Sequence, residues 1–122
     1  MKICFIGCVE FSAEALTYLI ELAKEGECEL VGVITKSASK FNADFVDLGQ
    51  VLERKAPDVR LLYYKDEQSA VTFIKETDAD IVYCFGWSNL LGKSLLQAPP
   101  QGVVGYHPAA LPENRGRHPI IW

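Results

Sequence analysis

A chain of 122 residues, 49% apolar and 23% charged, suits one soluble globular domain and lies far from disordered, collagen-like or coiled-coil compositions. No apolar run approaches the ~18 residues of a membrane span, and the run that follows Lys2 stops at Glu10 without a small-residue cleavage site, so it reads as a buried strand and not as a signal peptide. A net charge of −4 argues against broad electrostatic binding of nucleic acid or anionic lipid, and four cysteines with no C-x-x-C spacing and no nearby histidine read as reduced, buried thiols of a cytoplasmic protein, with no metal set.

Taken in order, the chain alternates strand and helix. Residues 2–7 (KICFIG) form a short apolar run that ends in glycine, after which Leu16, Leu19, Ile20 and Ala23 share one helical face until Gly26. Residues 29–35 (ELVGVIT) are β-branched and nearly uncharged, as a strand covered on both faces should be. A polar loop over 36–44 leads to a helical repeat of Phe45, Leu48 and Leu52 that stops before Pro57, and residues 59–63 supply a third strand. Asp66 is placed to cap a third helix burying Ala70, Phe73 and Ile74. Residues 80–85 (DIVYCF) are a fourth strand, the turn Gly86-Trp87-Ser88 opens a short helix holding Leu91 and Leu95, Pro99-Pro100 stops it, and residues 102–106 are a fifth strand. Among the strand positions, Ile3, Phe5, Val31, Val33, Ile81, Tyr83 and Val103 are expected to be buried.

Crossovers of this length between strands imply right-handed βαβ units and a doubly wound, mostly parallel sheet in an α/β fold. Ligands on such sheets bind beyond the carboxyl ends of the strands, which selects the segments after Ile6, Thr35, Phe85 and Tyr106. A dinucleotide is not the expected ligand. The first turn (Gly7-Cys8-Val9-Glu10-Phe11-Ser12) has one glycine where the fingerprint needs three, strand two ends in Thr35-Lys36 with no ribose-binding carboxylate, and there is no phosphate loop of the ATPase kind.

The chemistry-bearing side chains gather at the end. Residues 105–122 (GYHPAALPENRGRHPIIW) hold both histidines, and Arg115 and Arg117 against Glu113 leave this stretch net positive on an acidic chain. Pro108 and Pro112 bias His107 and Leu111 toward extended backbone, so the loop leaving strand five is stiff and holds His107 at the mouth of the sheet. An imidazole there suits proton transfer near neutrality, the alternative being a satisfied structural histidine. Arg115 offers a planar fork for phosphate or carboxylate, or else a salt bridge between loop and helix, and Gly116 permits close approach of a ligand to the backbone. His118 reads as a capping or surface residue. Pro119 suits the first position of a helix, and with only Ile120, Ile121 and Trp122 after it the chain looks cut as that helix begins.

These residues carry a resemblance. The window 105–122 is similar to the signature of the formyltransferases that use 10-formyltetrahydrofolate, approximately N-x-H-P-S-L-L-P-x-x-R-G-x-x-P-x-x-W, matching it at His107, Pro108, Leu111, Pro112, Arg115, Gly116, Pro119 and Trp122. The likeness extends more weakly to MKICFIG and ADIVYCFGWSNLL, and so to nearly the whole chain. It implies a Rossmann-like, three-layer α/β/α catalytic domain over residues 1–122, truncated at its C-terminal end, and an enzyme moving a formyl group to a primary amine.

The resemblance also implies roles. His107 becomes the catalytic residue, donating in its protonated form to the oxyanion that develops on the formyl oxygen. Phe85, Gly86, Trp87, Leu90 and Leu91 fall where the family contacts the pterin, with Trp87 either stacking on it or covering a helix. Pro108, Leu111, Pro112, Arg115 and Gly116 would face the acceptor. Two departures stand out: Gly105 replaces the family's Asn, a second oxyanion donor that water, a backbone N–H or Asn89 would have to replace, and the family's catalytic Asp falls beyond Trp122. As acceptor, R-G-R-x-P-x-x-W leans toward an amino-sugar nucleotide, with initiator methionyl-tRNA the alternative, and a degenerate folate-binding or interaction module the reading from another class.

Overall fold

Largely apolar strands separated by amphipathic helices set the architecture. The computed structural model describes residues 1–40 and 42–106, together with the backbone of Ile120 and Ile121. Its elements are β1 (Lys2–Ile6), α1 (Glu10–Lys24), β2 (Glu29–Thr35), α2 (Leu48–Lys55), β3 (Arg60–Tyr63), α3 (Glu67–Thr77), β4 (Ile81–Phe85), α4 (Lys93–Leu96), β5 (Val103–Tyr106) and β6 (Ile120–Ile121). The strands form one sheet in the order β3-β2-β1-β4-β5-β6. The first five are mutually parallel, and only β6 pairs antiparallel, with Val104 opposite Ile121. This is the Rossmann-like doubly wound sheet expected, with β1 at its centre and the winding reversing between β1 and β4.

Burial follows position in the sheet. From Ile3 to Ile6, β1 is buried at every residue, as a strand covered on both faces must be, whereas edge strand β3 exposes Arg60 and Tyr63. Two apolar layers result. Ile3, Phe5 and Val33 pack under α1 and α2 with Leu16, Ile20, Leu48 and Leu52. Cys4, Ile6, Ile34 and Val82 point the other way, against Ala70, Phe73 and Ile74 of α3 and Leu95 of α4. Of the expected core strand positions, Ile3, Phe5, Val33 and Val103 are buried, while Val31, Ile81 and Tyr83 are only half-buried.

Four details differ from the sequence reading. Phe45 is not helical: it forms an isolated antiparallel bridge with Val9, and α2 starts only at Leu48, behind Asp47, whose carboxylate accepts from Gly49 N–H at 2.7 Å. Leu91 precedes α4, buried in the loop before it. Ile120 and Ile121 are strand, where a starting helix was expected, because the open edge of β5 offers backbone partners. Cys28 is half-buried, unlike Cys4, Cys8 and Cys84, and all four are free.

Candidate active site

The carboxyl ends of β1, β2, β4 and β5 converge beside the reversal of winding. The Gly7-Cys8-Val9 turn is closed by the protein's own acceptors: Gly7 N–H donates to Ile34 O at 3.1 Å, Cys8 N–H to Gly86 O at 3.2 Å and Glu10 N–H to Asp44 O at 3.0 Å. Val9 N–H donates to Ser12 Oγ at 3.2 Å. In a nucleotide-binding sheet such N–H groups are left for phosphate. Here they are spent on the fold, which agrees with the missing glycine fingerprint.

Gly86 joins β1 to β5. Its N–H donates to Tyr106 O at 3.2 Å, its carbonyl receives Cys8 N–H at 3.2 Å, and its φ is +73°. Only glycine is comfortable there, because a Cβ would collide with Ser12 Oγ and Val9 Cγ2. Tyr106, the residue before His107 in the chain, thereby ends β5 beside this turn. His107, Pro108, Leu111, Pro112, Arg115 and Gly116 themselves lie outside the described residues, as does His118.

The five expected pterin-contact residues divide between different surroundings. Phe85 points toward α1 and joins an aromatic group, its ring centroid 5.9 Å from Phe5, 5.9 Å from Phe11 and 5.8 Å from Tyr83. Trp87 lies on the opposite layer, buried, with Tyr64 set edge to face at 5.3 Å. Leu91 is buried beside it in the same layer, and Leu90 projects into solvent at 93% exposure. The indole N–H of Trp87 is buried without a hydrogen-bond partner among the described residues.

Three residues that the sequence reading gave no role build the rest of the site. The Lys36 ammonium, one residue past β2, lies 4.8 Å from the centroid of the Trp87 ring, donates to Ser88 Oγ at 3.4 Å, and donates to Asn89 Oδ1. Asn89 Oδ1, considered as a substitute for the family's Asn, is therefore already engaged. Glu67, on the first turn of α3, accepts from Gly92 N–H at 2.7 Å and from Ser94 Oγ. The Ser94 and Gly92 hydrogen bonds hold its carboxyl below the usual range. Tyr64 completes the wall against Trp87. The only signal for Lys36 was its place just past a strand end; Glu67 and Tyr64 carried none.

Lys36 also lowers the Cys8 thiol pKa, but burial outweighs it and the net shift is upward. Cys84, nine-tenths buried behind the site, is pushed up to about 12, first by burial and further by Cys8. Neither thiol is primed as a nucleophile. Among the described residues, no group of His, Cys, Asp and Glu is arranged to hold a metal ion, and no helix is long and apolar enough to cross a membrane.

The solved structures similar to this chain share its fold. Glycinamide ribonucleotide transformylase 1 from Symbiobacterium toebii aligns with a TM-score of 0.71 at 17% identity, over 92% of this chain and 53% of that one. Phosphoribosylglycinamide formyltransferase from Bacillus halodurans aligns with a TM-score of 0.67 at 20% identity, over 92% and 58%. In sequence, the methionyl-tRNA formyltransferase of Thermotoga neapolitana is 28% identical over 98% of this chain and 38% of its own length. That of Nitratidesulfovibrio vulgaris is 32% identical over 98% and 37%. The chain thus spans well under half the length of these curated relatives. Residues 1–122 match the sequence model described as formyl transferase from end to end, and the chain belongs to that family.

Proposed function

We propose that residues 1–122 form a catalytic unit that moves a formyl group from 10-formyltetrahydrofolate to a primary amine, in a cytoplasmic setting. The observation that carries the reading is the HPAALPENRG run starting directly after β5, whose last residue, Tyr106, is hydrogen-bonded to the Gly86 turn. A pterin is flat with a polar rim, and the segment that would receive it fits that chemistry: polar, exposed Ser88 and Asn89 and exposed Leu90, beside buried Trp87 and Leu91. When bound, the donor supplies the formyl group. His107 donates a hydrogen bond to the formyl oxygen as the amine attacks, and Leu111, Pro112 and Arg115 face the acceptor.

For the acceptor, the tail and the relatives point different ways. RGRHPIIW leans toward an amino-sugar nucleotide, whereas the curated relatives reported above are named for methionyl-tRNA. Methionyl-tRNA is put first, because the relatives' likeness runs through the whole chain and the sugar lean rests on a few tail residues. The test is a formylation assay on the full-length protein, including the sequence beyond Trp122, offering 10-formyltetrahydrofolate with initiator methionyl-tRNA, a panel of amino-sugar nucleotides, or glycinamide ribonucleotide. Product with methionyl-tRNA alone is expected. Product with the sugars alone reverses the acceptor order, and binding of tetrahydrofolate without transfer to any amine favours the non-catalytic module to which Gly105 points.

A further inference from the structure

We propose that Lys36 is a positioning residue of the formyl-donor site, latching residues 87–89 across the end of β1 while Glu67 anchors the far end of the same loop at Gly92. The inference rests on the donor-site reading above. Between Gly86 and Gly92 the loop has little support of its own: among the described residues, no backbone hydrogen bond is made by residues 87–91. Side chains must therefore hold it, and Trp87 and Leu91 do so by burial at one side only.

The two charges supply the rest. In the sheet, β1 lies between β2 and β4, so Lys36 reaches from one strand end over its neighbour to a loop roughly 10 Å away, two strand spacings. A lysine stem can span most of that distance, and its ammonium ends among three partners on the loop: the Trp87 ring, Ser88 Oγ and Asn89 Oδ1. At the other end, Gly92 approaches the Glu67 carboxylate so closely that a Cβ would collide with it. Between these anchors, Leu90 is carried outward, almost fully exposed, on a loop whose two ends are fixed. An apolar side chain held out in this way is preorganised for a ligand, because the ordering cost is met before binding.

The latch is tested on the full-length protein, including the sequence beyond Trp122, with Lys36→Met, Lys36→Gln and Lys36→Arg, reading KM for 10-formyltetrahydrofolate, kcat, Kd for tetrahydrofolate, thermal midpoint, and amide exchange over residues 87–91. Loss of the ammonium should raise KM and Kd ~10-fold, leave kcat within ~2-fold and the midpoint within ~2 °C, and speed exchange in the loop, with Arg restoring most of the affinity. Unchanged KM and Kd in Met and Gln variants overturn the latch. A fall in affinity that merely tracks a fall in the midpoint also overturns it, in favour of a purely structural role. Failure of the wild-type chain to bind tetrahydrofolate is a different result: it removes the donor-site reading itself, and the latch with it.

Discussion

Ser12, on the first turn of α1, donates its hydroxyl to the carbonyl oxygen of Phe85 at the end of β4, and the same Oγ accepts the N–H of Val9 at 3.2 Å. One buried oxygen thus ties the start of a helix to the strand end from which the candidate site departs. Ser12→Ala would leave a buried donor and a buried acceptor unsatisfied, at a cost of ~1–3 kcal/mol. Urea unfolding checks this, and an alanine variant as stable as the wild type would show that the bond carries nothing.

Gly86→Ala should be worse. The left-handed backbone costs an alanine roughly 1–2 kcal/mol, and the collision of its Cβ with Ser12 and Val9 adds roughly 1–3 kcal/mol. The measurement is again the unfolding free energy, and a loss below ~1 kcal/mol would mean that the turn relaxes more easily than its packing implies.

The buried thiols give an alkaline signature. Burial pushes Cys4 and Cys84 from an ordinary value of 9.0 up to about 12, so the folded state keeps protons that the unfolded state releases. Their stabilisation is complete below pH 9 and is lost as the pH climbs toward 12. A Cys4→Ala/Cys84→Ala variant should accordingly lose less stability than the wild type between pH 9 and 11. Alkylation at pH 8 should modify half-buried Cys28 before Cys4 or Cys84, which should react only on unfolding.

Acid acts on Glu67 with the opposite sign. Hydrogen bonds from Ser94 and Gly92 depress its carboxyl below the ordinary 4.5, so the contribution is present above that pH and disappears as the pH falls through the lower folded value. Glu67→Gln should flatten the acid limb of the stability curve. It should also speed amide exchange at Gly92, and unchanged exchange there would dissociate the carboxylate from the loop.

The sheet was legible because charge is confined to the first residue of β1, β2 and β3, and Ile3, Phe5, Val33 and Val103 announce burial by residue type alone. Phe45 was misleading because its spacing to Leu48 and Leu52 fits a helix, while its actual partner, Val9, lies at the turn that opens α1. The candidate site divides in the same way. Its strand-end locations follow from topology, and Trp87 from its place after β4. The Lys36–Asn89 contact joins residues 53 apart, and the Glu67–Gly92 contact residues 25 apart, with no periodicity to announce either. The first becomes visible only when β2, β1 and β4 lie side by side, and the second only when α3 packs beside α4.

Formyl transfer itself is the most direct test. The full-length protein, with the sequence beyond Trp122 where the resemblance places the catalytic Asp, and its His107→Ala variant are to be assayed with 10-formyltetrahydrofolate and the amine panel, with unfolding followed in parallel. The account predicts transfer by the wild type and a rate at least ~10²-fold lower for the variant at an unchanged thermal midpoint, as expected when a positioned donor is removed. A fully active alanine variant, or a full-length wild type that transfers formyl to none of the amines, would contradict it.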